Sequence, residues 1–451
     1  MDLPQQRLFS NKKLTLLILP LIFETLLGTL VGMVDGMMVS SVGEAAISSV
    51  SLVGNIGAVM LNLFAALAGG GAIVTSQLIG AGKRGEARRS AGQVITMTVG
   101  FSLIVGALCI LFNRPLLQLF FGKVEKKVMD GAVVYFFYNA ASFPFLALCS
   151  AGAAIMRADG NSKVAFYVSI LRNAVNIVGN AICIFGLRMG VAGVAIPTAL
   201  SRVAGAIAIM VVVMGKHQPL RPHRQDIFCI DHKLMGRMLR VGLPSAFQNS
   251  IFQLGRVMTL GMITGFSTYQ IAANSTANTL TGLVVTITSA LSSASLTVIG
   301  QCVGAKDEVQ IKENFKKLMK LEYLLNGTAA VLVILLRYPI LGLYVGLSQE
   351  AVDLAAELMC IHLGVGIALY PLSFLIPAPL RAANDSVFPM WVSTISMAVF
   401  RLTLAQVLCV TLGWGARGVW WAMIVDWVCR SICFTWRWYS GAWKKKCGLA
   451  K

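Results

Sequence analysis

Charged residues are scarce in this sequence: only 13% of its 451 residues are Asp, Glu, Lys or Arg, about half the usual share. Hydrophobic residues make up 57%, and the mean hydropathy is +0.75. A single soluble core cannot hide this much apolar surface. The composition therefore excludes an ordinary soluble domain and predicts an all-α polytopic membrane protein embedded in a lipid bilayer.

Acidic residues are rarer than basic ones, with 19 Asp and Glu against 38 Lys and Arg, and the net charge is +19. Such an excess can indicate nucleic-acid binding. Here, however, most Lys and Arg lie in short clusters between apolar runs, which is how a membrane protein fixes its orientation. We therefore expect no nucleic-acid partner.

Motifs for metal binding and for catalysis are also lacking. The ten Cys are scattered without a CxxC pair, and only four His are present. The Gly-rich run "LAGGGAIVTSQLIGAG" is not a P-loop, because its Gly-Lys is not followed by Ser or Thr. We expect no enzyme activity and no cofactor, and we expect any transport to be driven by an ion gradient or by the substrate's own gradient.

Apolar runs long enough to span a membrane occur twelve times. They fall at about 14–39, 46–78, 91–112, 132–156, 164–187, 190–215, 238–263, 270–302, 316–337, 353–380, 387–412 and 416–439. With twelve spans, the termini and the even-numbered loops share one side, which holds 26 Lys and Arg against 7 on the other. This asymmetry predicts a multi-pass protein of the cell membrane with both termini in the cytoplasm.

The two halves of the sequence repeat each other at an offset of 224 residues. "LP" at 19–20 recurs at 243–244, "SQLIGA" (76–81) as "GQCVGA" (300–305), and "RADGNS" (157–162) as "RAANDS" (381–386). Each half has six spans, so the repeats share one topology and predict a pseudo-twofold axis with a cavity between two bundles. The predicted parts are an N-terminal bundle (1–215), a cytoplasmic linker (216–237) and a C-terminal bundle (238–451).

The first span contains two carboxylates. Asp35 lies within "LVGMVDGMMVSSVG", and a charge in a membrane segment costs about 2.5–3.5 kcal/mol on insertion scales. Glu24 precedes it by eleven residues, close to three helical turns, so both share roughly one face. Each carboxylate either pairs with a buried Arg as a structural contact or has a functional role. The repeat position of Asp35 is Thr259, so the scaffold does not need a charge there and a functional role is favoured.

Three asparagines follow one stripe of the fifth span. Asn173, Asn176 and Asn180 are spaced by three and four residues, which predicts either contacts between helices or a lined cavity or cation site. At the offset of 224, Asn176 and Asn180 correspond to Phe400 and Leu404, so the second half lacks this stripe.

The C-terminal half has a polar face of its own, on two spans. Its members are Asn249, Gln253 and Arg256 on the seventh span and Asn274, Asn278 and Thr281 on the eighth. Arg256 is either a counter-charge to a carboxylate or part of an anion site. His362 is expected to be hydrogen-bonded, and the i, i+4 pair of Asp426 and Arg430 is expected to be structural.

These residues resemble the multidrug and toxic compound extrusion (MATE) transporters of the MOP flippase superfamily. The resemblance rests on "LPLIFETLLGTLVGMVDGMMVSSVG", "GGGAIVTSQLIGAGKRGEARRSAG", "IMRADGNSKVAFYVSILRNAVNIVGNAICIFG", "GVAGVAIPTALS" and "PLRAANDSVFP". It implies two six-helix bundles around a V-shaped central cavity, and export of small organic cations or drugs in exchange for Na⁺ or H⁺. Because the cavity lies within one chain, a monomer suffices.

The resemblance also implies roles for particular residues. It makes Asp35 the cation-coupling carboxylate, with Asn176, Asn180 and Thr198 as its neighbours, and Asp35, Asn176 and Asn180 as ligands if the ion is Na⁺. One branch of the family has an acid where this chain has Asn180. Another branch has acids on spans 7 and 10, but the corresponding regions of this chain, "AFQNSIFQLGR" and "GVGIALYPLSF", contain none. Further candidates for the substrate cavity or the conformational change are Pro20, Glu24, Asn173, Gln253, Arg256, Asn278 and Tyr370.

The predicted function is thus a secondary active antiporter that works by alternating access. A lipid-linked saccharide flippase of the same superfamily is the alternative, since Arg172 and Arg256 would suit a pyrophosphate group. A third class is a membrane-embedded scaffold or enzyme. The repeat around a predicted cavity and the lack of a sizeable soluble domain argue against this class.

Overall fold

The chain is helical throughout the part that the computed structural model describes, namely residues 8–122, 125–344 and 346–449. In lipid, a helix satisfies every backbone N–H and C=O group within its own segment. All regular elements of the described residues are accordingly α-, π- or 3₁₀-helices. Arg7, Lys123 and Lys451, three of the charges used to predict the topology, lie outside these residues.

One compact unit contains residues 10–246. Its helices are α1 (Asn11–Ser40), α2 (Glu44–Gly80), α3 (Arg84–Leu111), α4 (Asn113–Phe121), α5 (Lys126–Ala141), α6 (Phe143–Ala158), α7 (Ser162–Ala181), α8 (Ala192–Val213), α9 (Arg224–Phe228) and the first part of α10 (His232–Ile263). Helices α5 and α6 form one span that bends by 45°. Helix α7 continues as a π-helix over Ile182–Gly186.

The second unit contains the remainder of α10 and the described residues that follow it, with Leu8 and Phe9. Its α-helices are α11 (Thr268–Gly304), α12 (Glu308–Leu335), α13 (Arg337–Leu341), α14 (Gln349–Tyr370), α15 (Pro377–Ala382), α16 (Val387–Ser396) and α17 (Ala416–Tyr439). Three π-helical segments (Pro371–Leu375, Met397–Thr403 and Gln406–Thr411) lie within the tenth and eleventh spans, and a 3₁₀-helix (Ala442–Cys447) follows α17.

The helices of the described residues agree with the predicted spans. Nine are long and apolar enough to cross a membrane, and the bent α5–α6 pair makes ten. Helices α10 and α17 coincide with the other two predicted spans and, at 32 and 24 residues, are long enough to cross a membrane. Each of these two helices carries four charged residues. The boundary between the compact units falls inside α10. The predicted boundary is the polar interval 216–237, and the predicted division into two bundles joined by this linker stays a prediction.

The repeat is visible in the backbone of the turns. Gly82 and Lys306, which are 224 residues apart, have φ angles of 74° and 55°. Gly160 and Asn384, also 224 apart, have φ angles of 84° and 64°. A positive φ is uncommon for residues other than glycine. The two halves therefore keep the same turn geometry even where glycine has been replaced.

The polar interval after α8 is bonded to α3 through Gln93. The Gln93 amide nitrogen donates to the carbonyl oxygens of Asp226 and Cys229, both at 2.7 Å, and its oxygen accepts from the Asp231 N–H at 2.9 Å. The N–H groups of Leu234 and Lys233 bond the Asp231 carboxylate and, with Arg89, hold its pKa below the usual range. Asp231 thus caps the start of α10 as an anion at neutral pH.

Gly92→Ala is expected to displace this interval, because a Cβ at residue 92 would stand 2.6 Å from the Asp226 carbonyl oxygen. Overpacking of this kind costs about 1–3 kcal/mol. We expect a lower unfolding temperature in detergent and faster tryptic cleavage after Arg224, which is followed by Gln225. Gly100→Ala, on the same helix with nothing within 4 Å, is the control and should be neutral or stabilising. Equal behaviour of the two variants would contradict this packing.

Candidate functional site

Three helices of the N-terminal unit meet at the carboxylate of Asp35. Asp35 comes from α1, Asn176 and Asn180 come from α7, and Thr198 comes from α8. The Asn180 amide nitrogen donates to Asp35 Oδ1 at 3.0 Å. Asn180 is fully buried and Asn176 is 6% exposed, so these bonds are shielded from solvent. The structure brings together the four residues predicted as the cation-coupling set.

Asn176 forms favourable hydrogen bonds with both Asp35 and Thr198 when its amide nitrogen faces Asp35. In that orientation the nitrogen donates to both carboxylate oxygens at 2.8 Å, and the Thr198 hydroxyl lies 3.2 Å from the amide oxygen. The same hydroxyl lies 2.8 Å from the Val194 carbonyl oxygen. Two amide donors thus hold the carboxylate, and the amide oxygen of Asn180 has no hydrogen-bond partner.

Asp35 lines a cavity of about 360 Å³ within this unit. The other described residues of the lining are Gly28, Val31, Gly32, Gly54, Gly57, Ala58, Leu61, Tyr135, Asn139, Leu146, Arg172, Asn173, Asn176, Thr198, Ser201 and Arg202. Among them Asp35 is the one carboxylate, and Arg172 and Arg202 are the cations. The volume is in the range of small-molecule pockets.

Arg202 also stabilises the bend between α5 and α6. Its Nη1 donates to the Ser142 hydroxyl at 2.6 Å, and to the side-chain and main-chain oxygens of Asn139 at 3.1 and 3.3 Å. These oxygens lie where one helix ends and the next begins, and Arg202 adds a charged donor from α8 to the local bonds that Ser142 makes to the Asn139 carbonyl oxygen. The same cation therefore lines the cavity and fixes the shape of its wall.

Glu24 lies beside a second, smaller cavity of about 180 Å³. Its Oε1 is 3.8 Å from Arg157 Nη1, and its Oε2 has no hydrogen-bond partner. Leu61 and Arg172 line both this cavity and the one that contains Asp35. Glu24 and Asp35 therefore belong to adjacent cavities with Arg172 at their common wall. Glu24 thus pairs with a partly exposed Arg, and its role stays a prediction.

Other predicted members of the site have varied surroundings. Pro20 lies inside the continuous helix α1. Asn173 lines the larger cavity, and its amide nitrogen has no partner. On the C-terminal unit, Gln253 is half-buried and Arg256 is exposed. The roles of these residues stay predictions.

Asn278 and Tyr370 make contacts within the C-terminal unit. Asn278 donates to the main-chain and side-chain oxygens of Asn274 at 2.8 and 3.0 Å, and the Trp420 indole donates to the same side-chain oxygen at 2.8 Å. The Tyr370 hydroxyl is hydrogen-bonded to His362 Nε2. Tyr370 is 1% exposed and packs on Trp427, so it belongs to the core. The expectation that His362 is hydrogen-bonded is confirmed.

Sequence reasoning missed a buried carboxylate in the C-terminal unit. Glu322 on α12 is fully buried, and the hydroxyl of Thr288 on α11 donates to its Oε1 at 2.5 Å. Asn326, one turn further along α12, donates to the same oxygen at 3.1 Å. The one local signal was the spacing of Glu322 and Asn326 by four residues, which places both on one face of a helix.

This helical fold and the amide-held carboxylate in a cavity place the protein in the class of multi-span membrane transporters. The chain belongs to the MatE family, whose sequence model matches residues 20–182 and 244–407. The two matches begin 224 residues apart, which is the offset of the internal repeat. The predicted recognition of a MATE transporter and the predicted all-α fold class are thereby confirmed.

Similar proteins extend over the whole chain. One relative is the "Uncharacterized transporter YisQ" of Bacillus subtilis (strain 168), with 28% identity over 99% of this chain and 97% of the relative. Another is the "Probable multidrug resistance protein NorM" of Thermotoga maritima, with 25% identity over 98% of this chain and 95% of the relative.

Solved structures share the fold. A multidrug resistance MATE family transporter of the MOP superfamily in an outward-facing conformation has a TM-score of 0.88 and 20% identity, covering 98% of this chain and 96% of its own. A MATE protein in a bent conformation has a TM-score of 0.87 and 20% identity, covering 97% of both chains.

Proposed function

We propose that this protein is a secondary active antiporter that exports small organic cations across the cell membrane in exchange for Na⁺ or H⁺. The arrangement of Asp35, Asn176, Asn180 and Thr198 beside a cavity carries the proposal. Membership of the MatE family and relatives named as multidrug resistance proteins support it. Intramembrane carboxylates that line a cavity mark ion pathways in transporters.

The charges of the cavity explain how ion and substrate exclude each other. With Asp35 ionised, its carboxylate offsets one of the two positive charges that line the space and offers an organic cation a local counter-charge. When Na⁺ or H⁺ neutralises Asp35, only Arg172 and Arg202 remain charged. The cavity then repels a cationic substrate, and unit charges interact strongly in such a partly dry site. Ion entry therefore favours substrate release.

Uptake of the ion also changes the contacts between α1 and α7. The two amides now present N–H groups to the carboxylate, which suits an anion. Na⁺ needs oxygen ligands, and a protonated carboxyl group needs an acceptor for its own proton. An amide that turns its oxygen toward Asp35 meets either need. This rearrangement gives the bound ion different contacts in two conformations, as alternating access requires.

Proteoliposomes preloaded with a fluorescent organic cation test the proposal. An inward Na⁺ gradient at equal pH and an inward H⁺ gradient without Na⁺ are imposed separately, each with and without an ionophore that dissipates it. At least one gradient is expected to accelerate export, and its ionophore to cancel the effect. Export that responds to neither gradient would rule out antiport, and export of anionic dyes alone would rule out the proposed substrate class.

A further inference from the structure

The carboxylate of Glu322 lacks a cationic partner, although it is fully buried. Among the described residues, no Lys, Arg or His lies within salt-bridge distance of it, while the buried Asp426 has two such partners. Glu322 lies 14 residues after the start of α12 and 13 before its end, about 21 Å into the helix. Thr288 and Asn326 are likewise buried, at 2% and 1% exposure.

The hydrogen bonds among Glu322, Thr288 and Asn326 are concentrated on one oxygen of the Glu322 carboxylate. The Thr288 hydroxyl and the Asn326 amide nitrogen both donate to Glu322 Oε1, and the same nitrogen is 2.7 Å from the Thr288 hydroxyl oxygen. Glu322 Oε2 and Asn326 Oδ1 receive no hydrogen bond from any of the described residues. Two buried acceptor oxygens four residues apart on one helix face are thus left without a positive partner. Buried acceptors of this kind require an explanation.

We propose that Glu322, Asn326 and Thr288 form a binding site for a small monovalent cation, Na⁺ or H⁺, in the C-terminal unit. A proton on Oε2, or Na⁺ bound by Oε2 and Asn326 Oδ1, neutralises the buried charge and uses the free oxygens. Carboxylate and amide oxygens are the ligands that hard cations prefer. This site goes beyond the proposed function at Asp35 and does not depend on it.

None of the described side chains around Glu322 supplies a positive charge that could pair with its carboxylate. Helix α11 contributes Thr288, and α14 contributes Tyr370, the titratable side chain that interacts electrostatically with Glu322. The Arg337 guanidinium, on α13, bonds the Ile334 carbonyl oxygen near the far end of α12. The π-helical segment Pro371–Leu375 has no charged residue. An apolar cluster of Val284, Ala330 and Leu363 lies one helical turn beyond Thr288 and Asn326.

The first test measures thermal unfolding of the full-length protein in detergent, in an Asp35→Asn background that removes the other proposed site. Sodium chloride is compared with choline chloride at one alkaline pH, and a pH series without sodium follows. We expect sodium, acidification or both to raise the unfolding temperature by about 4 °C or more relative to Asp35→Asn/Glu322→Gln. Identical responses of the two variants to both cations would overturn the proposal.

Infrared spectroscopy separates cation binding from a purely structural role. The carbonyl stretch of a protonated buried carboxyl group is followed in Asp35→Asn protein while pH and sodium are varied. A Glu322 band that titrates or disappears with sodium supports the site. A band that stays unchanged over the whole range marks a permanently protonated structural group and overturns it. Thr288→Val retains the carboxylate and should shift this band, so the assignment stands even if Glu322→Gln does not fold.

Discussion

Asp35→Asn is expected to abolish the response of export to the ion gradient while leaving the protein folded. The substitution keeps the shape of the side chain and removes its charge, so neither the ion nor a cationic substrate is bound by a carboxylate. Loss of one partner of a buried charge interaction costs about 2–5 kcal/mol, which is more than tenfold in affinity. The measurement is gradient-driven export in proteoliposomes, compared at equal amounts of reconstituted protein.

Stability separates this effect from misfolding. An uncharged residue removes a membrane-insertion cost of about 2.5–3.5 kcal/mol, so the unfolding temperature of Asp35→Asn should equal or exceed that of the wild type. Thr259→Val is the matched control, because Thr259 is the repeat position of Asp35 and, among the described residues, its hydroxyl bonds only the Arg256 carbonyl oxygen. It should retain the full gradient response. Asp35→Asn with normal gradient dependence would exclude Asp35 as the coupling residue.

Asp426→Ala is expected to give the largest loss of stability. Asp426 is fully buried and lies 3.1 Å from Arg430 Nη2 and 3.8 Å from Arg401 Nη1, and it accepts from the Ser396 hydroxyl at 2.5 Å. Removing it leaves two arginines without their common counter-charge. Breaking a buried pair in this way costs about 3–5 kcal/mol. We expect little folded protein after detergent extraction, or a strongly lowered unfolding temperature.

An exposed ion pair with better geometry is the control. Arg417 bonds both carboxylate oxygens of Glu357, with a shortest distance of 2.7 Å, but the two side chains are 53% and 41% exposed. Exposed pairs contribute about 0–1 kcal/mol. Glu357→Ala should therefore change stability little. If it destabilised the protein as much as Asp426→Ala, burial would not be the reason for the effect.

The sequence suffices to predict the spans and the asparagine stripe of α7, because both depend on local patterns. An apolar run long enough to span lipid must be helical, and residues spaced by three and four share a helix face. Asn176 and Asn180 could therefore be placed together on α7. Their joint contact with Asp35 needed the family resemblance, since α1 and α7 meet only through tertiary packing.

The burial of Glu322 could not be predicted from the sequence pattern. Lys316, Lys317 and Lys320 precede it, so the pattern assigns it to the polar end of a span. Its burial depends on Thr288, a residue 34 positions earlier on another helix. No periodicity within one helix reveals that contact. The bend between α5 and α6 also escaped prediction, and its bonds to Arg202 come from another helix, α8.

The single carboxylate in the larger cavity has an electrical consequence. In the proposed antiport, one monovalent ion at Asp35 neutralises it, so the exchange of that ion alone for one organic monocation moves no net charge across the membrane. Voltage then neither drives nor opposes export of a monocation. For a neutral or zwitterionic molecule the same exchange carries one charge inward, worth about 2.3 kcal/mol per 100 mV. The current that accompanies transport therefore reports the charge of the molecule that leaves.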